Sequence, residues 1–110
     1  MNKSFLNNHN LREKFFFQVL RDNELPEPVQ EHKFHPTRRW RFDYAFPEYK
    51  VAIELEGGIW IQGRHTRPQG HKNDMEKYTE ASLLGWKIIR VEPKDLLSKN
   101  TIDIIKRALL

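Results

Sequence analysis

The chain has no cysteine, so it can form neither a disulfide framework nor a thiolate zinc centre. No apolar run approaches the roughly 20 residues that a membrane-spanning helix needs. The opening Met1-Asn2-Lys3-Ser4-Phe5 lacks the apolar stretch of a secretory leader. Internal repeats and low-complexity tracts are missing too. The expectation is a cytoplasmic, intracellular protein with no membrane partner. What is present fits one compact domain: 110 residues, 38% hydrophobic and 31% charged, enough to bury a modest core. A net charge of +4 and a pI near 9.5 suit a polyanionic partner without identifying it.

Residues 1–10 are polar and are expected to be partly mobile. Leu11 to Arg21 places apolar residues at helical spacing, and Leu25-Pro26-Glu27-Pro28 ends that helix. Val29 to His35 reads as a first strand. Trp40 to Phe46 and Tyr49 to Glu56 read as a second and third strand around a Pro47-Glu48-Tyr49-Lys50 turn. A long polar loop covers 57–70. Asn73 to Leu84 is a helix with Met75, Tyr78, Ala81 and Leu84 inward, capped by Gly85. Trp86 to Val91 is a buried strand, and Pro93 to Leu97 and Thr101 to Leu110 are short helices. This order predicts a single-domain α/β fold, a central mixed sheet flanked by helices on both faces, with its core over about 11–92 and C-terminal helices over 93–110.

The acids carry the chemistry. With Glu48 and Tyr49 as a two-residue loop, Pro47 faces Lys50 and Asp43 falls opposite Glu54. Directly opposed residues share a face, with β-carbons about 5 Å apart. Glu56, two residues on from Glu54, joins that face, while Val51, Ile53 and Leu55 point to the core. Like charges opposed across a sheet are destabilising. A hard cation removes the conflict, and Mg²⁺ takes carboxylate and carbonyl oxygens. On this reading, truncating Asp43 or Glu54 relieves repulsion in the absence of metal. The bland alternative is an exposed acidic strand face with basic neighbours.

Phe42-Asp43, Ile53-Glu54-Leu55-Glu56-Gly57, His65, Asp74-Met75-Glu76-Lys77-Tyr78 and Gly85-Trp86-Lys87-Ile88-Ile89-Arg90-Val91 follow one another in that order. The set resembles the PD-(D/E)XK nuclease superfamily, and within it the small very-short-patch-repair-like endonuclease branch. The resemblance covers roughly residues 11 to 92; no single motif is specific, and the ordered set carries it. It implies a restriction-endonuclease-like core (αβββαβ) and a bacterial or phage origin. It also implies Mg²⁺-dependent hydrolysis of DNA phosphodiester bonds, with Mn²⁺ as a substitute metal. Asp43, Glu54, the Leu55 carbonyl and Glu56 would hold the metal. Two features depart from the pattern: Glu56 stands where the superfamily has its strand lysine, and no proline precedes Asp43. Some members place a basic residue on the following helix instead, a role that falls here to Lys77. Some project an acid from the first helix, here Glu13; a helix Glu flanked by Arg12 and Lys14 is otherwise a surface ion-pair residue.

Other candidates lie around these. His65 can act on the attacking water, although a lone loop histidine is more often incidental. His65, His71 and Asp74 match no standard zinc spacing. Arg64 and Arg67 of the loop, and Lys72, are candidate phosphate contacts. The densest basic patch is Arg38-Arg39-Trp40-Arg41, suited to gripping phosphates and stacking on a base. Two-residue spacing puts Arg41 on the face of Asp43 and sends Trp40 to the core. The expected partner is DNA, with RNA as the alternative, and a homodimer is the arrangement that would cut both strands at once. A nicking or structure-specific enzyme remains open, as do two silent readings: a nuclease fold that only binds DNA, and a module whose acids bind a basic protein.

Overall fold

The computed structural model describes the backbone of residues 9–57, 60–61, 64–65 and 68–110, and the side chains of 11–57 and 72–110. Helix α1 (His9–Asp22) precedes strands β1 (Val29–Lys33), β2 (Arg41–Phe46) and β3 (Val51–Leu55). Two short strands follow, β4 (Trp60–Ile61) and β5 (Arg64–His65), then helix α2 (Pro68–Leu83), strand β6 (Lys87–Val91) and helix α3 (Lys99–Ala108). The main sheet runs β1-β2-β3-β6. Its first two pairings are antiparallel and β3–β6 is parallel, so the sheet is mixed.

The hairpin register follows from its turn. Tyr44 pairs with Ile53, Ala45 with Ala52 and Phe46 with Val51. Pro47 opens a single 3-10 turn, the Lys50 N–H donates to the Pro47 carbonyl at 3.2 Å, and Lys50 takes the left-handed conformation at φ 56°. Extending the ladder by one step sets Asp43 opposite Glu54, as the sequence predicts.

A core lies on each face of the sheet. On one, Phe16 and Leu20 of α1 and Ile102 and Ile105 of α3 meet Tyr44, Phe46, Val51, Ile53 and Ile89. On the other, Ala81 of α2 meets Phe42, Ala45, Ala52 and Trp86. Strict alternation fails within β2: Phe42 and Tyr44, two residues apart, enter opposite cores. Phe42 instead stacks on Phe34, ring centroids 4.0 Å apart. The strand is therefore distorted at Asp43, and two-residue spacing no longer fixes the side that Arg41 shares; Arg41 is exposed.

Three further expectations need correction. The polar stretch 57–70 is not all loop: Trp60 pairs with His65, Ile61 with Arg64, and α2 begins at Pro68. Proline suits a first helical turn because its missing N–H would be unsatisfied there anyway. Met75 faces solvent at 59% exposure, so its helix position is not inward. Trp40 is half-buried at the core margin, its ring stacked near Phe34.

Both long helices that enter the sheet end in the same cap. After α2, the Trp86 N–H donates to Ala81 and the Gly85 N–H to Ser82, each at 3.0 Å. After α1, Leu25 donates to Leu20 and Glu24 to Arg21, each at 2.9 Å. This is the Schellman pattern, whose penultimate residue is left-handed. Gly85 supplies it at φ 87°, whereas Glu24 supplies it at φ 58° with a side chain in place. A Cβ at Gly85 would meet no atom within 4 Å, so only backbone strain opposes a side chain there. Gly85→Ala should therefore lower stability by about 1 kcal/mol and Glu24→Gly should raise it by a similar or smaller amount. Urea midpoints with an unchanged m-value would register both; equal midpoints for Gly85→Ala and the parent would contradict this account of the caps.

Candidate active site

Beyond the Tyr44–Ile53 pair, side chains carry the hydrogen bonding between β2 and β3. The Asp43 N–H donates to Glu54 Oε2 at 2.9 Å, and the Leu55 N–H donates to Asp43 Oδ2 at 2.7 Å. Each acid accepts a backbone proton from the other's strand, so the two carboxylates interlock where the strands diverge. Glu54 is 5% exposed, deep for an acid.

Helix α2 supplies its compensation. Lys77 Nζ forms an ion pair and hydrogen bond with Glu54 Oε1, and the Tyr78 hydroxyl donates to the same oxygen at 3.0 Å. Residues 74, 77, 78 and 81 lie along one helical face, and Ala81 buries that face against the sheet. Burial raises the pKa of Glu54; the Lys77 contact and the Asp43 N–H pull the other way without cancelling it. Burial, then the charge of Glu54, holds the Tyr78 phenol well above its usual range, so its hydroxyl stays protonated and donates.

Glu56 takes a different partner. Arg90 Nε donates to Glu56 Oε1 at 2.5 Å, and both side chains are partly solvent-exposed. Among the described residues no three His, Asp or Glu side chains converge as a metal-binding set. The expectation of three acids gathered on one face therefore resolves into an interlocked pair, Asp43 and Glu54, and an outlying Glu56. The expected carboxylate repulsion is present, since the Asp43 charge helps to raise the Glu54 pKa, and the backbone N–H group that each acid of the pair accepts offsets it. The pair offers hard oxygen donors of the kind Mg²⁺ takes. The Leu55 carbonyl accepts from the Gly57 N–H at 3.1 Å and keeps a second lone pair.

Glu13 lies on the other side of β2, where its Oε1 accepts the Tyr44 hydroxyl at 3.1 Å. Burial and then Glu13 push the Tyr44 phenol far up, with a smaller contribution from Asp43. The buried Nε of Arg12 has no hydrogen-bond partner among the described residues.

The basic patch separates into paired and unpaired members. Arg38 lies 4.0 Å over the Trp40 ring and 3.4 Å from Glu76. Arg39 and Arg41 are exposed and have no ion-pair partner among the described residues. Lys72 is exposed on α2 beside this patch, lining a groove of about 650 Å³ with Trp40 and Arg38. His35 Nδ1 accepts the N–H groups of Arg38 at 3.0 Å and Thr37 at 3.2 Å, so its Nε2 carries the proton donated to Glu80 at 2.8 Å. Arg64 and His65 are placed by backbone only, as β5; Arg67 and the side chains of Arg64, His65 and His71 lie outside the described residues.

The sequence points to Lys77 as a site residue but to Tyr78 only as a core residue, and it assigns Arg90 no role. The Tyr78 signal was present, since it follows Lys77 on the inward helix face. Arg90 depended on the β3–β6 register, Glu54 against Arg90 and Leu55 against Val91, which no local pattern specifies.

No protein-family model matches the chain. The catalytic domain of the homing endonuclease I-Bth0305I has a similar structure: TM-score 0.53 at 21% identity, covering 87% of this chain and 86% of that one. At that identity the likeness shows the fold, a mixed α/β arrangement shared with a nuclease domain. Two uncharacterised proteins of Mycobacterium tuberculosis are each 29% identical over 80 residues. The match takes in 71% of this chain but only 28% of their length. No helix among the described residues is long and apolar enough to cross a membrane.

The Glu54–Lys77 pair predicts a pH-dependent stability. The raised pKa of Glu54 means that the folded protein holds a proton where the unfolded chain has lost it. Stability from this group is therefore full below the ordinary glutamate range and falls as pH rises through the raised value. Lys77→Met removes the opposing cation and widens that window upward. With side chains only 14% and 6% exposed, the loss at about pH 8 should be roughly 3 kcal/mol. Part of it should return towards about pH 5, as Glu54 takes up a proton. Urea unfolding at both pH values measures this; a loss independent of pH would mean that Glu54 is not the charge left exposed.

Proposed function

We propose that the protein is a metal-dependent endodeoxyribonuclease that hydrolyses DNA phosphodiester bonds, nicking or structure-specific cleavage included. The observation that carries the reading is the Asp43–Glu54 interlock, with Glu54 buried and Lys77 on its carboxylate. The fold likeness to a homing endonuclease catalytic domain supports it. The αβββαβ order of the PD-(D/E)XK core is compatible with α1, β1–β3, α2 and β6.

Asp43, Glu54 and the Leu55 carbonyl would hold Mg²⁺, or Mn²⁺ in its place. Such a metal, when bound, lowers the pKa of water and stabilises charge on the scissile phosphate. The chain's own residues do the rest. Lys77 takes the place of the strand lysine: its ammonium sits at the Glu54 carboxylate and is aimed from α2 rather than from β3. It can orient the attacking water and steady the developing charge on phosphorus. Arg39 and Arg41, free of internal partners among the described residues, are the better candidates for phosphate contacts than Arg38, which is held by Trp40 and Glu76. His65, placed on β5 by its backbone, remains a candidate for proton transfer. Glu13 stands one residue removed, through Tyr44. A homodimer would bring two such sites to a duplex.

The second reading is a silent nuclease fold that binds DNA without cutting it, suggested by Glu56 at the position of the usual lysine. Plasmid incubated with Mg²⁺, with Mn²⁺ and with EDTA separates the two. Asp43→Asn and Glu54→Gln should each abolish metal-dependent cleavage while DNA binding in EDTA persists. Lys77→Ala should slow single-turnover cleavage at least tenfold, about 1.4 kcal/mol of barrier. DNA binding by the parent without cleavage under any metal would establish the silent reading. For the basic patch, Arg39→Ala with Arg41→Ala should flatten the plot of log K against log salt by about 0.9 per lost phosphate contact. Arg38→Ala should change it less; a larger effect from Arg38 would reverse that ranking.

A further inference from the structure

We propose that Tyr78, Arg90 and Glu56 form a positioning relay for Glu54, in which Glu56 acts through Arg90 and not as a metal ligand. The inference rests on the nuclease reading above and assigns roles within its site.

Arg90 opposes Glu54 in the parallel β3–β6 ladder. An arginine in that register has the buried carboxylate within reach, yet its guanidinium goes elsewhere. Its Cζ lies 4.4 Å from the centroid of the Tyr78 ring, and its Nε is bonded to Glu56. The backbone supports the detour: the Glu56 N–H donates to the Val91 carbonyl at 2.7 Å, which extends the strand pairing past Leu55 and fixes Glu56 beside β6. The outcome is two separate ion pairs, Glu54 with Lys77 and Glu56 with Arg90, with the Tyr78 ring at their boundary. Hydrogen bonding to Glu56 raises the Arg90 pKa, so its charge is permanent.

The consequence concerns the Glu54 carboxylate. The flexible four-carbon stem of Lys77 holds a point charge near Oε1 without fixing its angle. The Tyr78 hydroxyl does fix it, because the ring has few degrees of freedom and donates one proton along one direction. Arg90 stacked on that ring, itself held by Glu56, stops the ring from tilting. Tyr78 also borders a hollow of about 310 Å³ lined by Asp74, Met75, Thr79 and Arg90, so close packing does not enclose its ring on every side. Glu56 thus contributes to the site from an exposed position, a role that its place in the sequence hides.

Tyr78→Phe keeps the ring and the Arg90 stack and deletes only the donor. Glu56→Gln keeps the shape and deletes the charge that holds Arg90. Titration calorimetry with Mn²⁺ in the absence of DNA should show weaker binding in Tyr78→Phe, on the order of tenfold as outer-shell changes commonly give. Glu56→Gln should be weakened by no more than that. Because both act on one carboxylate, the double variant should bind Mn²⁺ about as well as Tyr78→Phe alone. KM for DNA should stay near the parent value while kcat falls. Circular dichroism and thermal melts confirm that each variant is folded, and Glu56→Gln, at a partly exposed site, keeps the test open if Tyr78→Phe does not fold. A Glu56→Gln loss larger than that of Tyr78→Phe, with additive losses in the double variant, would make Glu56 a ligand and overturn the relay. Unchanged metal affinity with a raised KM would make Arg90 a DNA contact and overturn it as well. A parent that neither binds Mn²⁺ nor cleaves DNA would instead remove the nuclease reading underneath.

Discussion

The exchange of hydrogen bonds between Asp43 and Glu54 is the constraint on which the site depends. Where β2 and β3 diverge, the ladder runs out and leaves backbone N–H groups that must find acceptors, since a buried donor without one costs about 1–3 kcal/mol. The acids provide them, Glu54 to Asp43 and Asp43 to Leu55. The same side chains that would hold a metal therefore seal the opening between the strands. Such a double duty limits what the sequence can tolerate. Under the proposed function, a residue at either position must accept a hydrogen bond for the fold and present anionic oxygen for the chemistry, and only a short list of side chains does both.

Placing a carboxylate in the interior carries an electrostatic cost, and its compensation organises the surrounding elements. Desolvation disfavours the charged form of Glu54 unless a cation stands against it. The cation comes across from α2, because Glu56, two residues on from Glu54 in the chain, is itself an acid. This moves the requirement from β3 to the placement of a helix. Lys77 reaches Glu54 only if α2 sits at one height and one rotation over the sheet. The caps at Leu83-Leu84-Gly85 fix the height by ending the helix directly before β6, with Trp86 in the core beneath Ala81.

Much of this was legible in the sequence, and the exceptions have physical reasons. A proline-led turn of fixed length sets a hairpin register, so the facing of Asp43 and Glu54 followed from counting. A glycine after an amphipathic run specifies a helix end, and Gly85 did so. Counting failed where the strand is distorted: Phe42 enters the α2-side core, so alternation through Asp43 does not fix the side of Arg41. It failed again at Met75, which periodicity puts inward but which faces solvent. It also failed for Arg90, whose place beside Glu54 depends on a parallel pairing between strands far apart in the chain, a separation that no hairpin rule bridges. Glu24 shows the reverse case: a helix ends there in a left-handed residue with no glycine to announce it.

The two faces of the sheet are held by different forces, and the site lies on the more polar one. The α1–α3 side is a continuous apolar cluster of large side chains, from Phe16 and Leu20 to Ile102 and Ile105. On the α2 side the apolar cluster is smaller, and among the described residues of the helix only Ala81 is fully buried in it. Polar contacts make up the remainder: Lys77 and Tyr78 to Glu54, Glu80 to His35 and Glu76 to Arg38. Apolar packing tolerates small slips because it is non-directional, whereas hydrogen bonds and ion pairs weaken steeply with angle and distance. A helix docked mainly by such contacts is held in one register or is not held well at all. The polar docking of α2 is therefore what converts an approximate helix-on-sheet packing into the defined geometry that Glu54 requires.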